Sequence, residues 1–178
     1  MDAFHKLNLG ALVVLSLITA TMLGQHLMTQ AQSQGSSPSS PEAQRQLLTR
    51  RLAEDQVIFG QVADLLGQKN FALAREKLQE IKAAHPDNPT VLVYLARLHA
   101  GSGRLIQTLD SYRRAVDRDP VFLDRSTPLF IGNEISDLIN EARSKLQREK
   151  RLKPDDQSIQ NALENLAYLQ RRIAGGCE

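Results

Sequence analysis

The sequence predicts an all-α protein made of repeated helical hairpins, and three observations lead there. The 178 residues are rich in Ala, Leu, Gln, Arg and Glu, with 4% aromatic residues and no Trp, a composition that suits helices rather than aromatic-rich and β-branched strands. Apolar residues recur every third or fourth position, the period of one helix face. Pro86, Pro120 and Pro154 stand 34 residues apart, each inside a cluster of turn formers: HPDNPTV (His85 to Val91), RDP (Arg118 to Pro120) and KPDD (Lys153 to Asp156). The length fits one domain with appendages.

The first appendage is apolar. The run LGALVVLSLITATML lies between Leu7 and Met28, and no charged residue occurs between Lys6 and Glu42. Its core from Leu9 to Leu23 has the length of a long signal-peptide core, and its flanks extend it toward the roughly 20 residues of a spanning helix. Residues 1–28 therefore read as an uncleaved signal anchor or a cleaved signal peptide, with Thr29-Gln30-Ala31 and Ala31-Gln32-Ser33 as fair cleavage sites. Lys6 precedes the run and no basic residue follows until Arg45, so the expected topology is a cytoplasmic N-terminus. The folded part would lie outside the cytoplasm, anchored to the membrane or released to the periplasm. Residues 29–40, TQAQSQGSSPSS, are a flexible Gln/Ser/Pro linker.

Ser40, Pro41 and Glu42 then read as N-cap, first-turn proline and first-turn acid of a long helix ending at Gly67. Leu48, Leu52, Phe59, Val62 and Leu66 share one of its faces. Residues 41–54 form an N-terminal extension with nothing upstream to pack on, and residues 55–178 form the repeat domain. Its first unit, 55–88, pairs the end of the long helix with a helix bearing Phe71, Ala74, Leu78 and Ile81. The second, 89–122, turns at Gly101-Ser102-Gly103 between a helix with Leu92, Leu95, Ala96 and His99 and one with Leu105, Thr108, Leu109, Tyr112, Ala115 and Val116. In the third, 123–156, Ser126-Thr127-Pro128 and Gly132-Asn133 interrupt the first helix, predicting a short helix at 127–131 and a long one at about 134–152. A final helix from Asp156-Gln157-Ser158 would cover the last apolar face with Ile159, Ala162, Leu163, Leu166, Leu169 and Ile173.

This pattern resembles the tetratricopeptide repeat, on the strength of the period, Ala74 and Ala96 at small-residue sites, Phe71 and Tyr112 early in second helices, Ala115, and the closing Pro86 and Pro120. Val62 and Thr108 depart from the signature, both where a small residue is usual. The resemblance implies an αα-hairpin solenoid of two clear repeats, one degenerate third and a capping helix. It also implies a concave groove lined by first helices, which holds a peptide or helix of a protein partner. By register the groove residues are Gln56, Phe59, Ala63, Leu66, Val93, Arg97, Thr127 and Ile131, a mainly apolar surface with one cation. The other reading of Phe59, Leu66 and Val93, ordinary core, stays open. The Lys/Asn clamp by which cochaperone members grip a C-terminal carboxylate is absent.

Little in the chain points to chemistry. It has no phosphate loop, HExxH, GxSxG or CxxCH motif, so no catalytic residue, cofactor, metal or small-molecule substrate is expected. The 22 basic and 20 acidic residues are interspersed and give a net charge of +2, which supplies no attraction for nucleic acid, and runs such as Arg113-Arg114 read as solvated helix faces. His99 is expected to pack in the core, and the acidic pairs Glu54-Asp55 and Asp155-Asp156 to open helices or turns. Cys177, the one cysteine, would form an intermolecular disulfide in an oxidising compartment or sit idle in the tail. The function expected is an extracytoplasmic adaptor or assembly factor. The alternative is a structural subunit of an envelope complex, docked through the long N-terminal helix and the tail.

Overall fold

Ser40 opens the first helix as its sequence requires: its hydroxyl accepts a hydrogen bond from the Ala43 N–H at 3.2 Å, with Pro41 and Glu42 in the first turn. The computed structural model describes residues 40–175, which are all-helical, with no strand among them. The expected targeting segment, the expected linker before Ser40 and Cys177 lie outside the described residues. The helices are α1 (Pro41–Gly67), α2 (Phe71–Ala84), α3 (Thr90–Gly101), α4 (Leu105–Arg118), α5 (Gly132–Leu152) and α6 (Gln157–Ala174), with a 3-10 turn at Pro120–Leu123. Residues from Arg45 onward belong to one compact unit. No helix among the described residues is long and apolar enough to cross a membrane.

The 34-residue period seen in the prolines is also a period of main-chain hydrogen bonds. After α1, Lys69 N–H donates to Leu66 O at 3.0 Å and Asn70 N–H to Leu65 O at 2.9 Å; after α3, Gly103 N–H donates to Ala100 O at 3.0 Å and Arg104 N–H to His99 O at 2.8 Å. These pairs tie off a helix end through a left-handed residue, Lys69 at φ 58° and Gly103 at φ 70°. The ends of α2, α4 and α5 match likewise, with His85, Asp119 and Lys153 donating to Ile81, Ala115 and Glu149 at 2.8, 2.9 and 2.8 Å.

Small side chains sit where helices approach. Ala74, Ala96, Ala115, Ala142 and Ala162 are all closed off from solvent. Thr108, which stands where the repeat favours alanine, is equally buried, and its hydroxyl donates to Arg104 O at 2.8 Å within its own helix, so no polar group is stranded. One core joins Phe59, Val62 and Leu65 to Ala74, Leu78, Val91 and Leu98; a larger one runs from Val93 and Ala96 through α4 and α5 to Leu166 and Leu169. Helix α3 serves both cores, which accounts for its near-uninterrupted apolar sequence TVLVYLARLHAG. Helix α6, capped by Asp156 accepting from Ser158 N–H at 2.9 Å, lies against α4 and α5.

Two expectations are corrected here. The short helix at 127–131 does not form. Asp124 accepts from both Ser126 N–H and Ser126 Oγ, at 2.8 and 2.7 Å, and the Thr127 hydroxyl bonds to the Val121 and Asp124 carbonyls. These side chains give the backbone an alternative to helix, and Pro128 brings no N–H to a helical ladder. The chain makes turns instead and closes with Ile131 N–H on Phe122 O at 2.9 Å, so α5 starts at Gly132. A Cβ at Gly132 would overlap the Phe130 ring. The extension at 41–54 also has a place to pack, downstream rather than upstream: Leu48 and Leu52 lean on the larger core, and Arg51 reaches Asp119 at 2.5 Å and lies 5.5 Å from the Phe122 ring centroid.

Candidate partner-binding groove

The groove face is set by α1 and α3, the first helices of two successive hairpins. Phe59 of α1 and Tyr94 of α3 stack with ring centroids 4.7 Å apart and planes 5° from parallel. The Arg97 guanidinium lies over the Tyr94 ring, 4.9 Å from its centroid. Arg97 in turn forks onto Glu134 in the first turn of α5, with Nε to Oε1 at 2.9 Å and one terminal nitrogen to Oε2 at 2.8 Å. The Tyr112 hydroxyl donates to the same carboxylate. A continuous column, Phe59–Tyr94–Arg97–Glu134–Tyr112, therefore ties α1, α3, α4 and α5 together.

The charge state of the column follows from its contacts. Burial opposes ionisation of Glu134, but the Arg97 hydrogen bonds, the Arg97 charge and the Tyr112 hydroxyl outweigh it and hold the carboxyl below its ordinary range. Arg97 loses solvation yet is held cationic by Glu134. Burial and the Glu134 charge push the Tyr112 hydroxyl well up, so it stays a donor. The Arg97 and Glu134 side chains remain 34% and 36% exposed, so the pair lies at the surface rather than in the core.

Two hollows flank Tyr94 and Arg97. The larger, about 420 Å³, is lined by Ala63, Leu66, Lys69 and Phe71 on one side and Gly101 on the other. The smaller, about 180 Å³, lies between Leu52 and Gln56 of α1, Val93 of α3, and the turn segment carrying Phe122 and Pro128 to Ile131. Of the residues expected by register, Gln56, Ala63, Leu66, Val93, Arg97 and Ile131 line these hollows. Phe59, at 0% exposure, is a core residue that lines neither, and Val93, at 2%, is a core residue at the wall of the smaller one. Thr127 lines neither hollow. Its place assumed a helix that is absent, and its hydroxyl is committed to the turn. The cation is also corrected, since Arg97 is already paired.

Tyr94 and Lys69 line the hollows, and Glu134 holds Arg97 beside them; helical register indicated none of the three. Tyr94 neighbours Val93 in sequence but acquires its role from a ring 35 positions away, and only the first-turn acid at Glu134 was visible as a local signal. Asp55 is a further correction. It does not open a helix; it sits within α1 at 5% exposure and accepts from Asn88 Nδ2 at 2.8 Å and Thr90 Oγ1 at 2.6 Å, fixing the start of α3. His99 is half-buried with Nδ1 lacking a partner among the described residues, and burial, followed by Arg104 and Arg75, holds it toward the neutral form. No three His, Cys, Asp or Glu side chains among the described residues come together as metal ligands would.

No known protein-family model, curated protein or solved structure matches the chain.

Proposed function

We propose that residues 55–178 are a tetratricopeptide-like array, with two regular hairpins, a degenerate third and a capping helix, that holds a segment of a partner protein across α1 and α3. The observation that carries the reading is the pair of hollows either side of Tyr94 and Arg97, lined by outward residues of two first helices. The shared 34-residue period of backbone bonds supports the array. Binding is favoured over catalysis because Arg97, Glu134 and Tyr112 are spent on one another and so act as a scaffold. In this reading residues 1–28 place the array outside the cytoplasm as an anchored or released adaptor. The alternative, a structural subunit docked through the long N-terminal helix and the C-terminal tail, is less favoured because Leu48, Arg51 and Leu52 of that helix are engaged inside the unit.

Steric blocking tests the groove. Gln56 and Ala63 are exposed, so Gln56→Trp with Ala63→Trp fills both hollows without disturbing the core. The double variant should keep its helical circular dichroism and melting temperature while capture of its partner from membranes falls at least tenfold. Undiminished capture would place binding on another face.

A further inference from the structure

The larger hollow carries a mark of the segment it receives. Its lining includes Lys69 and Arg97 and no carboxylate. Arg97 is neutralised by Glu134, whereas no carboxylate among the described residues lies within ion-pair distance of Lys69. Lys69 also occupies a backbone position that disfavours it. Its φ of 58° is left-handed, and the equivalent residue of the next hairpin, 34 positions on, is Gly103 at φ 70°. Glycine adopts that conformation freely, while a residue with a Cβ is strained there. A lysine at such a place, at the rim of an apolar hollow and without an ion-pair partner among the described residues, has its charge available to a ligand.

The rest of the hollow is apolar. Ala63 and Leu66 form one wall, and the Phe71 ring covers the base against Gly101, where a Cβ would come within 2.5 Å of the ring. A volume of about 420 Å³ is within the range of small-ligand clefts, roughly 300–1,000 Å³, and admits a Leu or Phe side chain.

We propose that the hollow between α1 and α3 receives a large apolar side chain of a partner peptide, and that Lys69 pairs with a carboxylate flanking it. The partner segment is therefore acidic and apolar. This rests on the groove reading above and adds the chemistry of its occupant. Arg97 contributes a flat face next to Tyr94, and Lys69 supplies the charge selection.

The test uses the full-length chain in detergent and a fluorescent peptide of about ten residues with a Leu-Phe pair flanked by glutamates in a Gly/Ser background. Anisotropy should report saturable binding, weakened about tenfold or more when the glutamates become glutamines or the Leu-Phe pair becomes Ser-Ser. Lys69→Gly should weaken the acidic peptide to the level of the neutral one while leaving the melting temperature unchanged or higher, which separates lost charge from lost fold. Ala63→Trp should abolish binding of both. Equal binding of acidic, neutral and lysine-flanked peptides, or indifference to Lys69→Gly, overturns the acidic selection and leaves the groove reading standing. Binding of no peptide overturns the inference, and only undiminished partner capture by the groove-blocked double variant overturns the groove as well.

Discussion

Asp55 is the residue whose removal the fold should register most clearly. Its carboxylate is the acceptor for Asn88 and Thr90, so Asp55→Ala strands two donors near the start of α3. An unsatisfied buried polar group costs about 1–3 kcal/mol, and urea unfolding should show a loss of that size. Titration gives two separate windows. Glu134 has a folded-state pKa below its unfolded value, so its contribution is complete above about pH 4.3 and disappears as the pH falls through the folded value. His99 is also lowered, so stability is complete above about pH 6.5 and declines as acidification forces a proton onto the half-buried ring. Glu134→Gln should flatten the lower part of a stability-versus-pH curve and His99→Gln the upper part; identical curves for all three proteins would contradict both assignments. Little at this scale is legible from residue order alone. Asp55 looked like a helix-opening acid because its partners lie 33 and 35 positions downstream. Phe59 and Val93 were ambiguous because helical register gives a direction from the axis, while burial depends on what Tyr94 and the turn around Phe122 place above them.

At the scale of elements, the repeat leads to predictions with opposite signs. Ala96 is fully closed off where α3 meets its neighbours, so Ala96→Leu should lower stability by about 1–3 kcal/mol through overpacking, while Ala83→Leu on the exposed side of α2 should change little. Lys69→Gly should raise stability by about 1 kcal/mol, because it removes the strain of a left-handed lysine. Denaturant melts of the three variants check both. The elements were largely legible, since prolines, glycines and helix caps are local signals: Ser40 and Asp156 cap the helices they were expected to cap, and Ala74 and Ala96 are buried as the spacing required. The exception is the stretch before α5. There the Asp124, Ser126 and Thr127 side chains compete with the helical ladder, an outcome that residue periodicity does not encode.

For the molecule as a whole, the proposed partner-binding array follows an expected targeting segment that lies outside the described residues. A reporter active only in the cytoplasm, fused after Glu178, should therefore be silent, and strong activity would contradict export. The central claim is that a partner lies across α1 and α3, and site-specific photo-crosslinking tests it most directly. Benzoylphenylalanine would be placed at Gln68, exposed beside Lys69 at the rim of the larger hollow, and, separately, at Lys145 on the exposed side of α5, in the full-length protein in its native membranes. The expected result is a discrete crosslinked partner from position 68, suppressed by excess acidic Leu-Phe peptide, and none from position 145. A partner crosslinked from position 145 and not from position 68 would overturn the claim.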